Sequence, residues 1–204
     1  MKTTLPELKE IVNFGLVERP DRVLGGDYYS ALYNNIRFSA SDVELQEKVV
    51  YKDSEGKTQT RYDTYFKGRM MVFDLENLPQ EMYFIEKGSK VRRIRGLEKV
   101  QTEISLLNEK YYIAVSNKEE IFHYLTPVVL QGFIKFEEQV GGIISYVFYN
   151  KKLYLFIENC DDSLEVNLSK AIDERQINFI LGGLRLPLDV IDSFKLNDKF
   201  FKKE

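Results

Sequence analysis

The chain has 204 residues, 44% of them hydrophobic and 30% charged, with a formal net charge of -3. That hydrophobic content excludes a disordered chain, and the slight acidic excess argues against a general nucleic-acid binder, which carries a strong basic surplus. A single cysteine, Cys160, excludes an intrachain disulfide.

The chain opens with Thr4-Leu5-Pro6-Glu7, a capping-box pattern with Pro6 in the first turn. Leu5, Leu8 and Val12 share one helical face and Gly15 is a stop. Glu7, Lys9 and Glu10 interrupt the apolar pattern, so no signal peptide is expected. Residues 27–75 read as β-rich. Within them, 42–74 is predicted to be a long antiparallel hairpin around the turn Asp53-Ser54-Glu55-Gly56. Gly68 inside its second strand signals a bulge or a close backbone approach. Residues 82–85 form a short strand candidate, 87–95 are polar and basic, and 106–115 return to strand-like residues such as Tyr111, Tyr112 and Ile113.

Ser116 to Glu119 repeats the capping-box pattern and predicts a short helix ending near Tyr124. Thr126 as N-cap and Pro127 at the first helical position begin a longer helix. Val129, Phe133, Phe136 and Val140 line one face of it, and Gly141-Gly142 ends it. Residues 143–149 and 153–157 are nearly continuous apolar runs around Asn150-Lys151, which predicts a tight hairpin covered on both faces. In the closing helical segment, 174–196, the residues Ile177, Leu181, Leu184, Leu188 and Ile191 keep a helical rhythm. Gly182-Gly183 and Pro187 are expected to kink or split that segment.

Together these elements predict an α+β fold, an antiparallel β-sheet of roughly six to eight strands packed against the amphipathic helix near 127–140 and C-terminal helices. One domain over 1–204 is expected, with a candidate seam near 87–99. No run of roughly 18–20 apolar residues would span a bilayer, so a cytoplasmic protein is expected.

The ordered features Leu97-Glu98-Lys99-Val100, Tyr111-Tyr112-Ile113-Ala114-Val115 and Tyr124-Leu125-Thr126-Pro127, then the helix and the strand pair at 143–157, resemble the bacterial domain-of-unknown-function 3137 family. Gly26-Asp27-Tyr28-Tyr29, the stretch 36–43 and Phe66-Lys67-Gly68-Arg69 resemble its upstream strands, so the resemblance covers 26–157. It implies a bacterial protein without assigned catalytic residues. In relatives with hydrophobic helices before this domain, it implies a place on the cytoplasmic side of a membrane.

Known catalytic patterns are absent from the sequence: no phosphate-loop, dinucleotide-binding or nucleophile-elbow motif occurs. One His and one Cys cannot build a closed four-ligand zinc centre. No catalytic set, cofactor or metal is predicted. His123, with Glu119 one turn before it, reads as structural, and the pairs Glu119-Glu120 and Glu137-Glu138 read as solvated helix faces. Gly25-Gly26, Gly141-Gly142 and Gly182-Gly183 read as turn or helix-end punctuation.

One local charge feature stands out in this acidic chain. Lys87, Lys90, Arg92, Arg93, Arg95 and Lys99 are opposed locally only by Glu98. Lys90, Arg92, Arg93 and Arg95 are the candidate anion- or lipid-binding residues, with a protein or an anionic membrane surface as partner and nucleic acid disfavoured. Val91 and Ile94 interleave with these charges, as in a short strand with one wet face. The tail from Lys199 to Lys203 adds aromatics and cations of the kind found at membrane surfaces. The leading expectation is therefore a non-enzymatic binding or interaction module. The alternative is an enzyme using carboxylates and a divalent metal, with Asp161 and Asp162 first among its ligands.

Overall fold

A computed structural model describes residues 5–78, 80–119, 125–158 and 174–197. Eight strands build one sheet: β1 (Arg22–Tyr33), β2 (Ile36–Lys52), β3 (Thr58–Asp74), β4 (Met82–Glu86), β5 (Glu98–Lys99), β6 (Tyr111–Val115), β7 (Ile143–Tyr149) and β8 (Lys152–Glu158). Their order is β1-β2-β3-β8-β7-β4-β6-β5, and every neighbouring pair is antiparallel. The helices among the described residues are α1 (Leu8–Asn13), α2 (Ser105–Lys110), α3 (Pro127–Gln139) and α4 (Glu174–Ser193). The fold is α+β.

Turn chemistry sets the register of the long strands. Asn34 and Asn35, with φ of 48° and 66°, join β1 to β2 in two residues. Asn150 and Lys151, with φ of 49° and 57°, join β7 to β8 in the same way. Positive φ at both positions gives a turn whose twist matches that of the strands. Between β2 and β3, the Asp53 carboxylate accepts the N–H groups of Glu55 and Lys57 at 3.0 and 2.9 Å. Gly68 is a close approach rather than a bulge: a Cβ there would lie 2.0 Å from the Ile157 carbonyl of β8. The bulge in this hairpin falls after Leu45, where the register with β3 shifts. Gly25-Gly26 is no turn either, because it sits at the register shift inside β1.

Alternation sends side chains to two separate cores. On one face Phe38, Met71, Phe84, Tyr146 and Leu155 meet Phe133 and Phe136 of α3 and Val190 and Ile191 of α4. On the other, Leu45, Met70, Ile85, Val147 and Phe156 meet Leu8 and Ile11 of α1. β7 and β8 lie mid-sheet and are covered on both faces, as their apolar runs predict.

The helix ends follow local rules. The Thr126 side chain accepts from the Val129 N–H, and Pro127 opens α3. Gly15, at φ 72°, ends α1. Its N–H reaches the Val12 carbonyl while Leu16 reaches Ile11, the paired bonds of a left-handed helix terminus. The expected capping box does not close α1 at its start: the N-cap is Glu7 without a side-chain bond, and Thr4 lies outside the described residues. Two further expectations are corrected. Residues 105–110 are helix and not strand. α4 runs unbroken through Gly182-Gly183 and Pro187. The helix expected from 116 to 124 falls mostly outside the described residues. No helix among the described residues is long and apolar enough to cross a membrane.

α4 tolerates its proline because the bond that proline removes is replaced. Pro187 has no N–H for the carbonyl four residues earlier, Gly183. That carbonyl accepts instead from Arg69 Nη1 and from the Tyr29 hydroxyl, both at 3.0 Å. Arg69 also grips Asp42 at 2.7 and 2.6 Å through two nitrogens, with both side chains buried. Burial pushes the Tyr29 phenol up to about 12, which keeps it a donor.

Candidate functional site

Residues 87–99 leave β4, cross the α1 side of the sheet and return as β5. They form an irregular strap rather than a strand. Gly88 and Gly96, at φ 100° and 88°, turn its two ends. Val91 is buried, and Ile94 and Leu97 pack partly buried beside it against the α1-side core. This spacing of three leaves the intervening side chains outside: Lys90, Arg92, Arg93 and Arg95 are all exposed. The sequence expectation of one wet face holds, though on non-strand backbone.

Hydrogen bonds fix the strap to three other elements. The Arg92 N–H donates to the Leu16 carbonyl at 2.7 Å, beside the end of α1. The Lys90 N–H donates to both oxygens of Glu158, at 2.8 and 3.1 Å, and the Ser89 hydroxyl donates to the same carboxylate at the end of β8. Ser89 Oγ in turn lies 3.0 Å from Ser145 Oγ of β7. Burial holds the Glu158 carboxyl above its ordinary range, against the opposing pull of Ser89 and Lys90.

The four cations differ in their surroundings. Arg92 forms an ion pair with Glu18. Arg93 lies 3.7 Å above the Tyr112 ring, and Lys87 approaches the same ring at 5.9 Å. Lys90 and Arg95 make no ion pair among the described residues. The segment that gives the strap Leu16 and Glu18 also borders a groove of about 690 Å³, lined by Leu8, Val12, Pro20 and Val23 with Lys9 and Arg19. Sequence reasoning missed Lys9 and Arg19. They lie about 70 residues before the strap, mixed with glutamates, and only the topology brings them to the same face.

A family model described as "Protein of unknown function (DUF3137)" matches residues 58–196. The chain belongs to this family. No curated protein and no solved structure shows a significant match. The match runs from β3 through α4 and contains the whole strap, so the DUF3137 resemblance extends past 157, while β1 and β2 lie outside the matched span.

The other candidates separate clearly in this DUF3137 chain. His123, Glu120, Cys160, Asp161, Asp162 and the tail at 199–203 lie outside the described residues. Among the described residues, no group of three or more His, Cys, Asp or Glu gathers as a metal site would. Glu137 corrects the expected solvated pair. Its carboxylate receives Lys110 Nζ at 2.8 Å and the Tyr111 hydroxyl, tying α3 to β6, while Glu138 alone is exposed. Lys110 also reaches Glu86 at 3.5 Å, and Glu86 accepts the Ile144 N–H at 2.7 Å. These charges are consumed in holding elements together.

Proposed function

We propose that this domain is a non-enzymatic binding module of the cytoplasm, acting as one unit, that seats its strap on an anionic membrane surface. The carrying observation is the strap itself. Val91, Ile94 and Leu97 are anchored beneath, so Lys90, Arg92, Arg93 and Arg95 are presented outward on ordered backbone. A lipid headgroup layer is favoured over an acidic protein because the same face carries an apolar groove edged by Lys9 and Arg19. Each cation near such a surface contributes about 1 kcal/mol, and the attraction falls off within a Debye length.

Co-sedimentation with vesicles tests this reading. Vesicles of phosphatidylcholine with phosphatidylserine should bind the chain, and pure phosphatidylcholine should not. Arg92→Ala with Arg93→Ala should weaken binding about 30-fold, and Lys90→Ala with Arg95→Ala by at least as much. Binding indifferent to these changes and to added salt, or capture by acidic polypeptide with none by vesicles, overturns it.

A further inference from the structure

β1 is the last strand at one end of the sheet, and among the described residues nothing pairs with its outer edge. Exposed edges are commonly guarded by lysine, proline or brevity. β1 is 12 residues long, and its second half, Tyr28 to Tyr33, has no charge and no proline. The two-residue turn makes Tyr33 and Ile36 a mutually hydrogen-bonded pair. Alternation then directs the backbone N–H and C=O of Tyr29, Ala31 and Tyr33 into β2, and those of Tyr28, Ser30 and Leu32 outward. The Leu32 side chain is 65% exposed, more than any other large apolar residue among those described.

A second feature lies at the same edge. In the first part of α4, Ile177, Leu181 and Leu184 are 46%, 55% and 39% exposed. They follow one flank of the helix, which continues through Leu188 to Asp192. Asp192 accepts the Tyr33 hydroxyl at 3.0 Å and the Asn34 amide at 3.2 Å, so this flank is the one on the β1 side. The opposite flank meets α3, where Gly132 closely approaches the Ser193 carbonyl.

We propose that β1 is a homodimer seam. A second copy pairs with it antiparallel across a two-fold axis at Ser30, joining the two sheets into one. Pairing at Ser30 sets Tyr28 opposite the second copy's Leu32 and Tyr29 opposite its Ala31, so an aromatic ring covers the most exposed leucine and no like charges meet. A two-fold axis normal to the sheet keeps both α4 helices on one face, which brings their apolar flanks toward each other. A foreign strand would satisfy the β1 backbone and leave those flanks in water. A stable interface buries roughly 1,200–2,000 Å², more than a six-residue strand pair supplies, so the dimer requires the exposed α4 flanks as well.

Sedimentation equilibrium of the full chain should give twice the chain mass. Leu32→Lys with Leu181→Glu should halve that mass with the far-ultraviolet circular dichroism unchanged, since both side chains are exposed. In a Cys160→Ser background, Ser30→Cys should form an interchain disulfide under mild oxidation, because facing positions of an antiparallel pair lie within disulfide range, and Thr60→Cys should not. A single-chain mass, a dimer that survives the double substitution, or a Ser30→Cys variant that stays reduced overturns the proposal.

Discussion

On one face of the sheet, α3 and α4 are seated by a continuous aromatic core, and Arg69, Asp42 and Tyr29 are paired beneath α4. On the other, α1 and the strap are seated by fewer apolar anchors and by one buried carboxylate, Glu158, with a row of cations left in water. The helical face uses polarity to repair a backbone defect, the carbonyl left by Pro187. The strap face uses polarity to fix an irregular segment whose outer side chains stay exposed. Under the proposed function, stability and recognition fall on opposite faces, and substitutions should separate them.

The largest effect is expected from Arg69→Met. It leaves Asp42 buried without its bidentate partner and leaves Gly183 with Tyr29 alone among its two donors. Breaking a buried pair from one side costs about 3–5 kcal/mol, read as a fall in the urea midpoint. Pro187→Ala restores an N–H for Gly183, so Tyr29→Phe should cost less in that background than in the wild type. Equal costs would show that the proline is not what Tyr29 and Arg69 offset. Vesicle binding by whatever fraction stays folded should be unchanged.

Next comes Gly132→Ala. A Cβ at this position would stand 2.3 Å from the Ser193 carbonyl, so α3 and α4 must separate. Overpacking of this kind costs about 1–3 kcal/mol. Amide exchange should accelerate in both helices before it does in the strap. Acceleration in the strap first would mean that the two faces do not unfold separately.

The strap face should reveal itself through pH. Burial holds Glu158 above its ordinary value of 4.5, so the folded chain binds this proton more tightly than the unfolded one. Its contribution is therefore complete below the unfolded value and shrinks as pH rises through the folded one. Glu158→Gln has no proton to lose. Relative to wild type, the variant should gain stability as pH rises from the ordinary carboxyl value through the raised, folded one, and a gap that is flat with pH would refute the assignment. Glu10 on α1 behaves oppositely. Burial pushes its carboxyl up, but the ion pair with Lys152 and the bond from Asn150 outweigh that and leave it lowered. Its contribution is present above the ordinary range and is lost on acidification. Acid should therefore loosen the α1 amides while it protects those of the strap, two signs within a single face.

How much of this was legible in the sequence depends on locality. α3 and the β7–β8 hairpin were readable because Thr126-Pro127 and Asn150-Lys151 act on their immediate neighbours. The turn at Asn34-Asn35 uses the same conformation but is not framed on both sides by continuous apolar runs, as Asn150-Lys151 is. α2 reads as strand in the sequence because its N-cap, Ile104, offers no side-chain cap, and Leu106-Leu107 continues into Tyr111 without a break. α4 misled for a different reason. Counting large apolar residues selects Ile177, Leu181, Leu184, Leu188 and Ile191; of these only Ile191 is buried, beside Gly183, Pro187 and Val190. Close packing over Arg69 and Tyr29 favours small residues that such a count ignores. At the strap, the cationic cluster was visible as composition. Its seat on Glu158, and the placement of Lys9 and Arg19 on its face, exist only once the sheet is assembled.

The smallest expected effect comes from a turn that belongs to neither face. Lys151 holds φ at 57° with its side chain exposed, and its carbonyl accepts the Leu75 N–H at 2.9 Å, a bond that any residue can supply. A left-handed conformation costs a residue with Cβ roughly 1–2 kcal/mol, and glycine avoids that cost while losing more chain entropy on folding. Lys151→Gly should therefore stabilise by about 0.5 kcal/mol, a rise of about 2 °C in the thermal midpoint. Asn35→Gly, at φ 66°, should gain less, because asparagine tolerates this region better than lysine. Because the β7–β8 turn joins strands buried on both sides, Lys151→Gly should slow exchange in the α3 and strap amides together. Slowing on one face alone would mean that the sheet does not couple the two coverings, and the separation drawn from Arg69 and Glu158 would then extend through the strands themselves.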